Sequence, residues 1–247
     1  QQCVVGNQHI CDHQFQPGFT HWGSFAELVA IARADINLVP LPREIEFVSA
    51  ASLGCRFTTS FRAIVYQAGV IPEQWVTVHG CGGVGLSAIM IASALGARVI
   101  AVDIAKEKLE LAHSVGAHST IDVSEYKNVV ECIQQISNGG PHVSIDALGS
   151  RVTCQNSISC LRKGGKHIQI GLLNGDESRQ FVSMDAVISK ELQIIGSHGM
   201  QAHRYPEMLK MILSRKLLPE RLVGNRIHLD DVPVHLTDMT DFRAVGV

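Results

Sequence analysis

The sequence predicts an α/β protein built around a doubly wound parallel sheet. Between Trp75 and about Leu218, short apolar runs rich in Val and Ile alternate with longer stretches of helical period, and Gly, Asn or Asp separate them. The 247 residues are 46% hydrophobic and 18% charged, which excludes a disordered chain and allows one large core or two smaller ones. Strands that alternate with helices in this way form a parallel sheet.

Six strands and six helices follow from this alternation. The strands are predicted at the Val- and Ile-rich runs 75–79, 98–103, 119–122, 143–148, 166–171 and 192–196. The helices are predicted at 84–95, 106–115, 129–137, 151–161, 182–190 and 204–215. Good helix formers fill the second of these helices, which Val115 and Gly116 end. Six strands fit one doubly wound domain, at 70–218.

The segments on either side of 70–218 follow a different pattern. Residues 23–31 are predicted to form a strand, and the nearby pair Pro40 and Pro42 is typical of an extended connector. Residues 45–69 are helix-like, with an interruption at Gly54 and Cys55, and the chain is irregular again after residue 218. We expect the flanks, 1–69 and 219–247, to pack together as a second, smaller domain.

Charge and cysteine content narrow the partners and the compartment. Lys and Arg total 21 against 23 Asp and Glu, so no excess positive charge attracts nucleic acid or anionic lipid. Gly96 and Arg98 interrupt the most apolar stretch, which is therefore shorter than a membrane span requires. Seven dispersed cysteines favour reduced thiols, hence a cytoplasmic protein. The chain begins Gln-Gln-Cys without an initiator Met or signal peptide, so we expect a fragment or processed product with a small-molecule partner.

A G-x-G-x-x-G pattern stands between the first predicted strand and the helix that follows it. Gly80 permits a tight turn, Gly82 lets the backbone approach a diphosphate, and Gly85 lets the helix lie against the strand. The helix begins at Gly83 and Val84, where free N–H groups and the positive end of the helix dipole attract phosphate. These five residues predict a dinucleotide-binding (Rossmann) domain, and a glycine-rich surface turn is the alternative.

An acidic residue ends the next strand and indicates which dinucleotide binds. Asp103 lies 18 positions past Gly85. A carboxylate at this place accepts hydrogen bonds from the adenosine ribose hydroxyls and repels a 2′-phosphate, which favours NAD over NADP. Lys108, within the next turn, is placed to reach the same ribose. An ordinary surface Asp is the alternative interpretation.

With these motifs the sequence resembles the zinc-dependent alcohol dehydrogenases of the medium-chain dehydrogenase/reductase family, from Cys3 to the C-terminus. The most specific segments are Pro17-Gly18-Phe19, Gly23-Ser24-Phe25-Ala26-Glu27, Leu53-Gly54-Cys55-Arg56-Phe57-Thr58-Thr59, the glycine motif, and Asp103 with Lys108. The resemblance implies that 1–69 is the C-terminal part of a smaller GroES-like catalytic domain plus linking helices, that 70–218 binds NAD, and that 219–247 returns to the catalytic domain. It also implies N-terminal truncation.

The resemblance assigns roles to five further residues. Cys55 corresponds to the third protein ligand of a catalytic zinc, and Thr59 to a threonine against the nicotinamide. Gly171 and Leu172, at the carboxyl end of a predicted strand, fit a backbone contact to the nicotinamide side. Arg243 resembles a family arginine that approaches the diphosphate, and a solvated surface arginine is the alternative.

A second zinc is implied only in part. Cys3 and Cys11 have the spacing of the last two of four cysteines that hold a structural zinc in the family. Two ligands do not hold a tetrahedral zinc unless His9, His13 or another chain supplies the missing ones, so two free thiols are the expected state. The resemblance places the first catalytic cysteine, a Gly-His-Glu segment and the proton relay upstream of Gln1.

The resemblance implies an oxidoreductase that uses NAD and zinc to interconvert an alcohol and an aldehyde or ketone, as a homodimer or homotetramer. The alternative is a catalytically incomplete fragment that only binds NAD. A zinc-free quinone reductase of the same fold is a third candidate, which Cys55, Cys3 and Cys11 argue against.

Overall fold

Six strands form one parallel sheet in the order β3-β2-β1-β4-β5-β6. A computed structural model describes residues 1–173 and 182–238 of the chain. The strands are β1 (Trp75–His79), β2 (Arg98–Asp103), β3 (Ser119–Asp122), β4 (Val143–Asp146), β5 (Lys166–Gln169) and β6 (Gln193–Gly196). The doubly wound α/β sheet predicted from the sequence is confirmed.

The helices alternate with these strands. The α-helices of the described chain are α1 (Ala34–Asn37), α2 (Phe47–Ser52), α3 (Thr58–Phe61), α4 (Gly83–Ala94), α5 (Lys106–Ser114), α6 (Val129–Ile136), α7 (Arg151–Ser159), α8 (Met184–Lys190), α9 (Tyr205–Leu213) and α10 (Val232–Asp238). Two π-helical segments, Leu53–Phe57 and Arg62–Ala68, join α2 and α3 into an almost continuous helical run over 47–68. The predicted interruption is confirmed, because Gly54 has the non-helical angles φ −47° and ψ −151°.

Both faces of the sheet are buried. On β2, Val99 and Ala101 belong to the main apolar cluster with α4 and the 47–68 run, whereas Ile100 and Val102 belong to a second cluster with α6. Because successive side chains of a strand point to opposite faces, this alternation shows that helices cover the sheet on both sides.

The chain reverses its direction of winding between β1 and β4. Strand β1 pairs with β2 on one side and with β4 on the other, so that Thr77 is opposite Ile100 of β2 and Ser144 of β4. At such a switch point the connections leave in opposite directions and open a crevice beyond the carboxyl ends of the strands. The residues that follow β1, β2, β4 and β5 therefore surround one crevice.

The element bounds match the sequence prediction to within two residues. Strands β1, β2 and β3 begin and end as predicted, whereas β4 and β5 each end two residues earlier than the predicted 143–148 and 166–171. The backbone turns at β4 because the N–H groups of Leu148 and Gly149 donate to the Asp146 side chain instead of to a neighbouring strand.

The strand predicted at 23–31 is wrong. These residues form no strand, and Phe25, Leu28 and Val29 are exposed. An isolated strand lacks partners for its backbone hydrogen bonds, and no described strand lies beside this segment. The short helices α1 and α10 are additions that the sequence analysis did not predict.

The flanks contribute unequally to the core. None of residues 1–44 is buried, whereas Leu53, Phe57 and Phe61 of the 47–68 run lie in the main cluster. Leu222, in the turn Pro219–Leu222, joins the same cluster. The division into domains at 69 and 218 stays a prediction. Among the described helices, none has both the length and the apolar character that crossing a bilayer requires.

Candidate functional site

The glycine loop closes tightly onto the end of β1. Gly80 has φ +93°, a conformation that favours glycine, and its N–H donates to the Val102 carbonyl at 2.8 Å. A Cβ on Gly85 would lie 1.8 Å from the Gly80 carbonyl oxygen. The absence of side chains at these two positions therefore lets α4 start directly against the strand, in the way the sequence analysis expected.

Gly82 faces open space. It is the N-cap of α4, with φ −78° and ψ −171°, and a Cβ placed on it would meet no atom within 4 Å. The first turn of α4, at Gly83 and Val84, carries N–H groups that have no partner within the helix. No contact within the described protein requires glycine at position 82. The open space instead supports a ligand that approaches the backbone closely at this position.

Asp103 joins the glycine loop to the end of β2. One carboxylate oxygen accepts the Cys81 N–H at 2.6 Å, and the other accepts the N–H groups of Ile104 at 2.8 Å and Ala105 at 3.0 Å. A carboxylate offers about four acceptor positions, so the oxygen with a single donor retains room for a ribose hydroxyl. Lys108 is half-buried on the first turn of α5, beyond this carboxylate.

A buried carboxylate shapes the loop after β4. Asp146 is fully buried, and one of its oxygens accepts the N–H groups of Leu148 at 3.0 Å and Gly149 at 2.9 Å. Its other oxygen accepts the Gln169 side-chain amide at 2.9 Å, and that amide also donates to the Gly171 carbonyl at 2.8 Å. One hydrogen-bonded group thus holds the ends of β4 and β5 together.

The loops after β1, β4 and β5 touch one another. A Cβ on Gly171 would lie 2.2 Å from the Gly149 nitrogen, and one on Gly80 would lie 3.1 Å from the Leu148 Cβ. The structure therefore brings Gly80 and Gly171 to the same edge of the sheet, with residues 148 and 149 between them. Leu172 follows and is exposed there.

His79, before the glycine loop, is a packing residue. It is fully buried. Burial is the larger cause, and the nearby His167 the smaller one, of a pKa lowered to about 3, so the ring is neutral near pH 7. Its Nε2 lies 4.0 Å from the Cys160 sulfur. A histidine that does not charge near neutral pH is a poor proton carrier, which supports a positional role.

The turn that carries Cys55 lies over the start of α4. The exposed Cys55 thiol is 4.0 Å from the Thr59 hydroxyl, so these two predicted residues come together. Ser60 donates to the Val84 carbonyl at 2.8 Å, which ties the 47–68 run to the glycine loop. Tyr205 approaches from α9; its hydroxyl interacts with Thr58, and burial raises the pKa of the Tyr205 phenol.

The described residues form no metal site. No three His, Cys, Asp or Glu side chains among them are close enough to hold one ion. The thiols of Cys3 and Cys11 form a hydrogen bond, which raises the pKa of Cys3. The pKa of Cys11 is lowered, mainly by the His13 N–H that donates to its sulfur and secondly by the bond with Cys3. Two thiols in one place and one thiol at Cys55 do not complete a tetrahedral zinc site.

Comparison with known proteins identifies the family. A sequence profile described as zinc-binding dehydrogenase matches residues 83–214, more than half of the chain. The chain belongs to the zinc-binding dehydrogenase family. The chain is 31% identical over 170 residues to an alcohol dehydrogenase from Geobacillus stearothermophilus, a match that covers 69% of this chain and 49% of the relative. The chain thus spans about half the length of that relative.

Longer matches support the same family. An NAD-dependent alcohol dehydrogenase from Sulfurisphaera tokodaii is 31% identical over 247 residues, covering 99% of this chain and 69% of the relative. The solved structure of alcohol dehydrogenase TADH from Thermus sp. ATN1 has a TM-score of 0.88 and 26% identity, over 99% of this chain and 73% of that one. The alcohol dehydrogenase of Aeropyrum pernix has a TM-score of 0.85 and 27% identity, over 99% and 70%.

Three residues at this edge of the sheet received no role in the sequence analysis. Asp146 and Leu148 shape the loop after β4, and Arg56 extends from the Cys55 turn onto Gly83. An acid inside an otherwise apolar predicted strand, at 143–148, was the available signal for Asp146, whereas no local pattern marks Arg56. Arg243 lies outside the described residues, so its predicted contact with the diphosphate stays a prediction.

Proposed function

We propose that this dehydrogenase transfers a hydride between an alcohol and NAD, giving an aldehyde or a ketone. The single observation that carries the proposal is the edge of the sheet at the switch point, where Gly82 borders open space, α4 begins and Asp103 accepts the Cys81 N–H. The NAD-dependent relative from Sulfurisphaera tokodaii supports the same cofactor.

The residues of the crevice fit a dinucleotide in an extended pose. The start of α4 would bind the diphosphate, Asp103 would accept from the adenosine ribose, and Gly171 and Leu172 would border the nicotinamide with Thr59. When bound, NAD accepts the hydride at its nicotinamide ring. This chain's contribution is orientation, because a substrate carbon held against that ring reacts far faster than one that meets it by chance.

Zinc fits these residues poorly. Cys55 is exposed, and it has no further ligand among the described side chains. We propose Cys55 as one ligand of a zinc site whose other ligands are not among the described side chains. A homodimer or homotetramer and a cytoplasmic location likewise stay predictions.

A second candidate function is an NAD-binding module without turnover. The absence of a metal cluster among residues 1–173 and 182–238 favours it for this chain. An assay of NADH formation with primary and secondary alcohols, with and without added zinc, separates the two: turnover supports the dehydrogenase, and cofactor binding without turnover supports the module.

Calorimetric titration of the 247-residue chain with NADH and NADPH tests the cofactor proposal that both candidates share. We expect saturable NADH binding with a stoichiometry of one, and weaker binding of NADPH because Asp103 repels its 2′-phosphate. A chain that is folded by circular dichroism but binds neither nucleotide would refute the proposal.

Replacing Asp103 by Asn should weaken NADH binding about tenfold to 100-fold. It should also reduce the ratio by which the chain binds NADH more tightly than NADPH. The substitution removes a charge-assisted hydrogen bond and the charge that opposes the 2′-phosphate. The same titrations measure both effects, and an unchanged ratio of the two dissociation constants would refute the ribose assignment.

Asp122→Asn is the matched control. Asp122 pairs with Asp103 in register across β2 and β3, ends its own strand in the same way, and accepts from the Ser124 N–H and hydroxyl. It lies one strand further from the switch point between β1 and β4. We therefore expect Asp122→Asn to leave both nucleotide affinities unchanged.

A further inference from the structure

The side chain of Arg56 lies across the first residue of α4. A Cβ placed on Gly83 would be 2.6 Å from the Arg56 Cδ and 3.3 Å from both its Nε and one terminal guanidinium nitrogen. Any side chain at 83 would therefore displace the arginine. Glycine at this position keeps the guanidinium close to the helix N-terminus.

This position is electrostatically unfavourable for an unpaired cation. The N-terminus of a helix carries about half a positive charge, which repels a guanidinium and attracts anions. In the described part of the chain, no ion pair or hydrogen bond satisfies the Arg56 guanidinium; the ion pairs there are Glu73–Arg98, Lys106–Glu125 and Arg215–Glu220. The N-terminus of α4 and the Arg56 guanidinium are both positive and lie side by side. An anion bound between them would therefore be stabilised by both.

The carboxylate of the crevice does not fill this place. Asp103 accepts the backbone N–H groups of Cys81, Ile104 and Ala105, and no ion pair joins it to Arg56 in the described part of the chain. Gly82, the residue before Gly83, borders open space. Among residues 1–173 and 182–238 no acid forms an ion pair with Arg56, so the geometry suits an anionic ligand that enters over the glycine loop.

We propose that Arg56 binds the diphosphate of the dinucleotide, together with the N–H groups of the first turn of α4. The proposal rests on the proposed NAD-binding function. A guanidinium donates two parallel hydrogen bonds to phosphate oxygens, and the negative diphosphate relieves the repulsion between Arg56 and the helix. Because Arg56 follows Cys55 directly, the same contact positions the Cys55 turn relative to the bound cofactor.

The test compares three probes on the full 247-residue chain: NADH, ADP and adenosine. ADP contains the diphosphate without the nicotinamide half, and adenosine contains no phosphate. In the Arg56→Gln variant we expect NADH and ADP to bind about tenfold to 100-fold more weakly, as for the loss of a charge-assisted hydrogen bond, and adenosine to bind as in the wild type.

Two further variants complete the design. Arg56→Lys retains the charge but not the bidentate geometry, so we expect a smaller loss than in Arg56→Gln, with the fold preserved. Arg98→Gln removes the same charge at the amino end of β2, on the opposite edge of the sheet from the crevice. It should leave the affinities for all three probes unchanged.

The outcomes separate this inference from the function on which it rests. A wild-type chain that binds no NADH refutes the proposed function, and the role of Arg56 with it. If the wild type binds NADH and the Arg56→Gln variant binds NADH and ADP as tightly as the wild type does, the role of Arg56 alone is overturned. A loss of adenosine affinity as large as that for ADP would also overturn it, because the effect would then not depend on phosphate.

Discussion

Gly85→Ala is expected to lower the free energy of unfolding by about 3 kcal/mol, at the upper end of what overpacking costs. The new methyl group would lie 1.8 Å from the Gly80 carbonyl oxygen and 2.9 Å from its carbon. Both are backbone atoms at the end of the central strand, so α4 must move away from β1. Urea unfolding followed by circular dichroism measures the loss as a lower transition midpoint.

Gly82→Ala is the matched control in the same loop. A Cβ at Gly82 meets no protein atom within 4 Å, so stability should change by no more than about 1 kcal/mol, the scale of a helix-cap substitution. NADH binding should nevertheless weaken, because the methyl group occupies the space next to the diphosphate. Equal destabilisation by the two substitutions would contradict the different roles assigned to the two glycines.

Asp146→Ala is expected to destabilise the protein by about 3 kcal/mol or more and to weaken NADH binding. Three donors lose their acceptor in a buried place: the N–H groups of Leu148 and Gly149 and the side-chain amide of Gln169. Each unsatisfied buried donor costs about 1–3 kcal/mol. The loop between Gly80 and Gly171 would then lose the group that fixes its shape.

Asp122→Ala provides the comparison for Asp146. Asp122 caps only a short turn through Ser124, so its loss should cost about 1 kcal/mol and should not affect NADH binding. Unfolding curves and NADH titrations of both variants give the two quantities. An Asp146→Ala chain as stable as Asp122→Ala, with wild-type affinity for NADH, would contradict the role given to the buried carboxylate.

The sequence predicts the sheet well because its signals are local. The apolar runs of β1, β2 and β3 are bounded by turn residues or a strand-end acid, and their limits agree with the structure. The runs at β4 and β5 continue as apolar sequence past the last paired residue, so the pattern alone overestimates each by two residues. There the Asp146 side chain, not hydropathy, ends the pairing.

Non-local features account for what the sequence did not predict. Residues 23–31 have the composition of a strand, but a strand also requires a neighbour, and composition does not show whether one is present. Arg56 and Gly83 meet although 26 residues separate them. The roles of Gly80 and Gly85, by contrast, follow from a motif of six residues whose geometry recurs at the first strand–helix turn of dinucleotide-binding domains.

A crystal structure of the 247-residue chain with NADH tests the dinucleotide site most directly. We expect the diphosphate within hydrogen-bond distance of the N–H groups of Gly83 and Val84 and of the Arg56 guanidinium, and the adenosine ribose within that distance of Asp103. A crevice that stays empty at saturating NADH, or one that a side chain of the protein fills, would contradict the assignment.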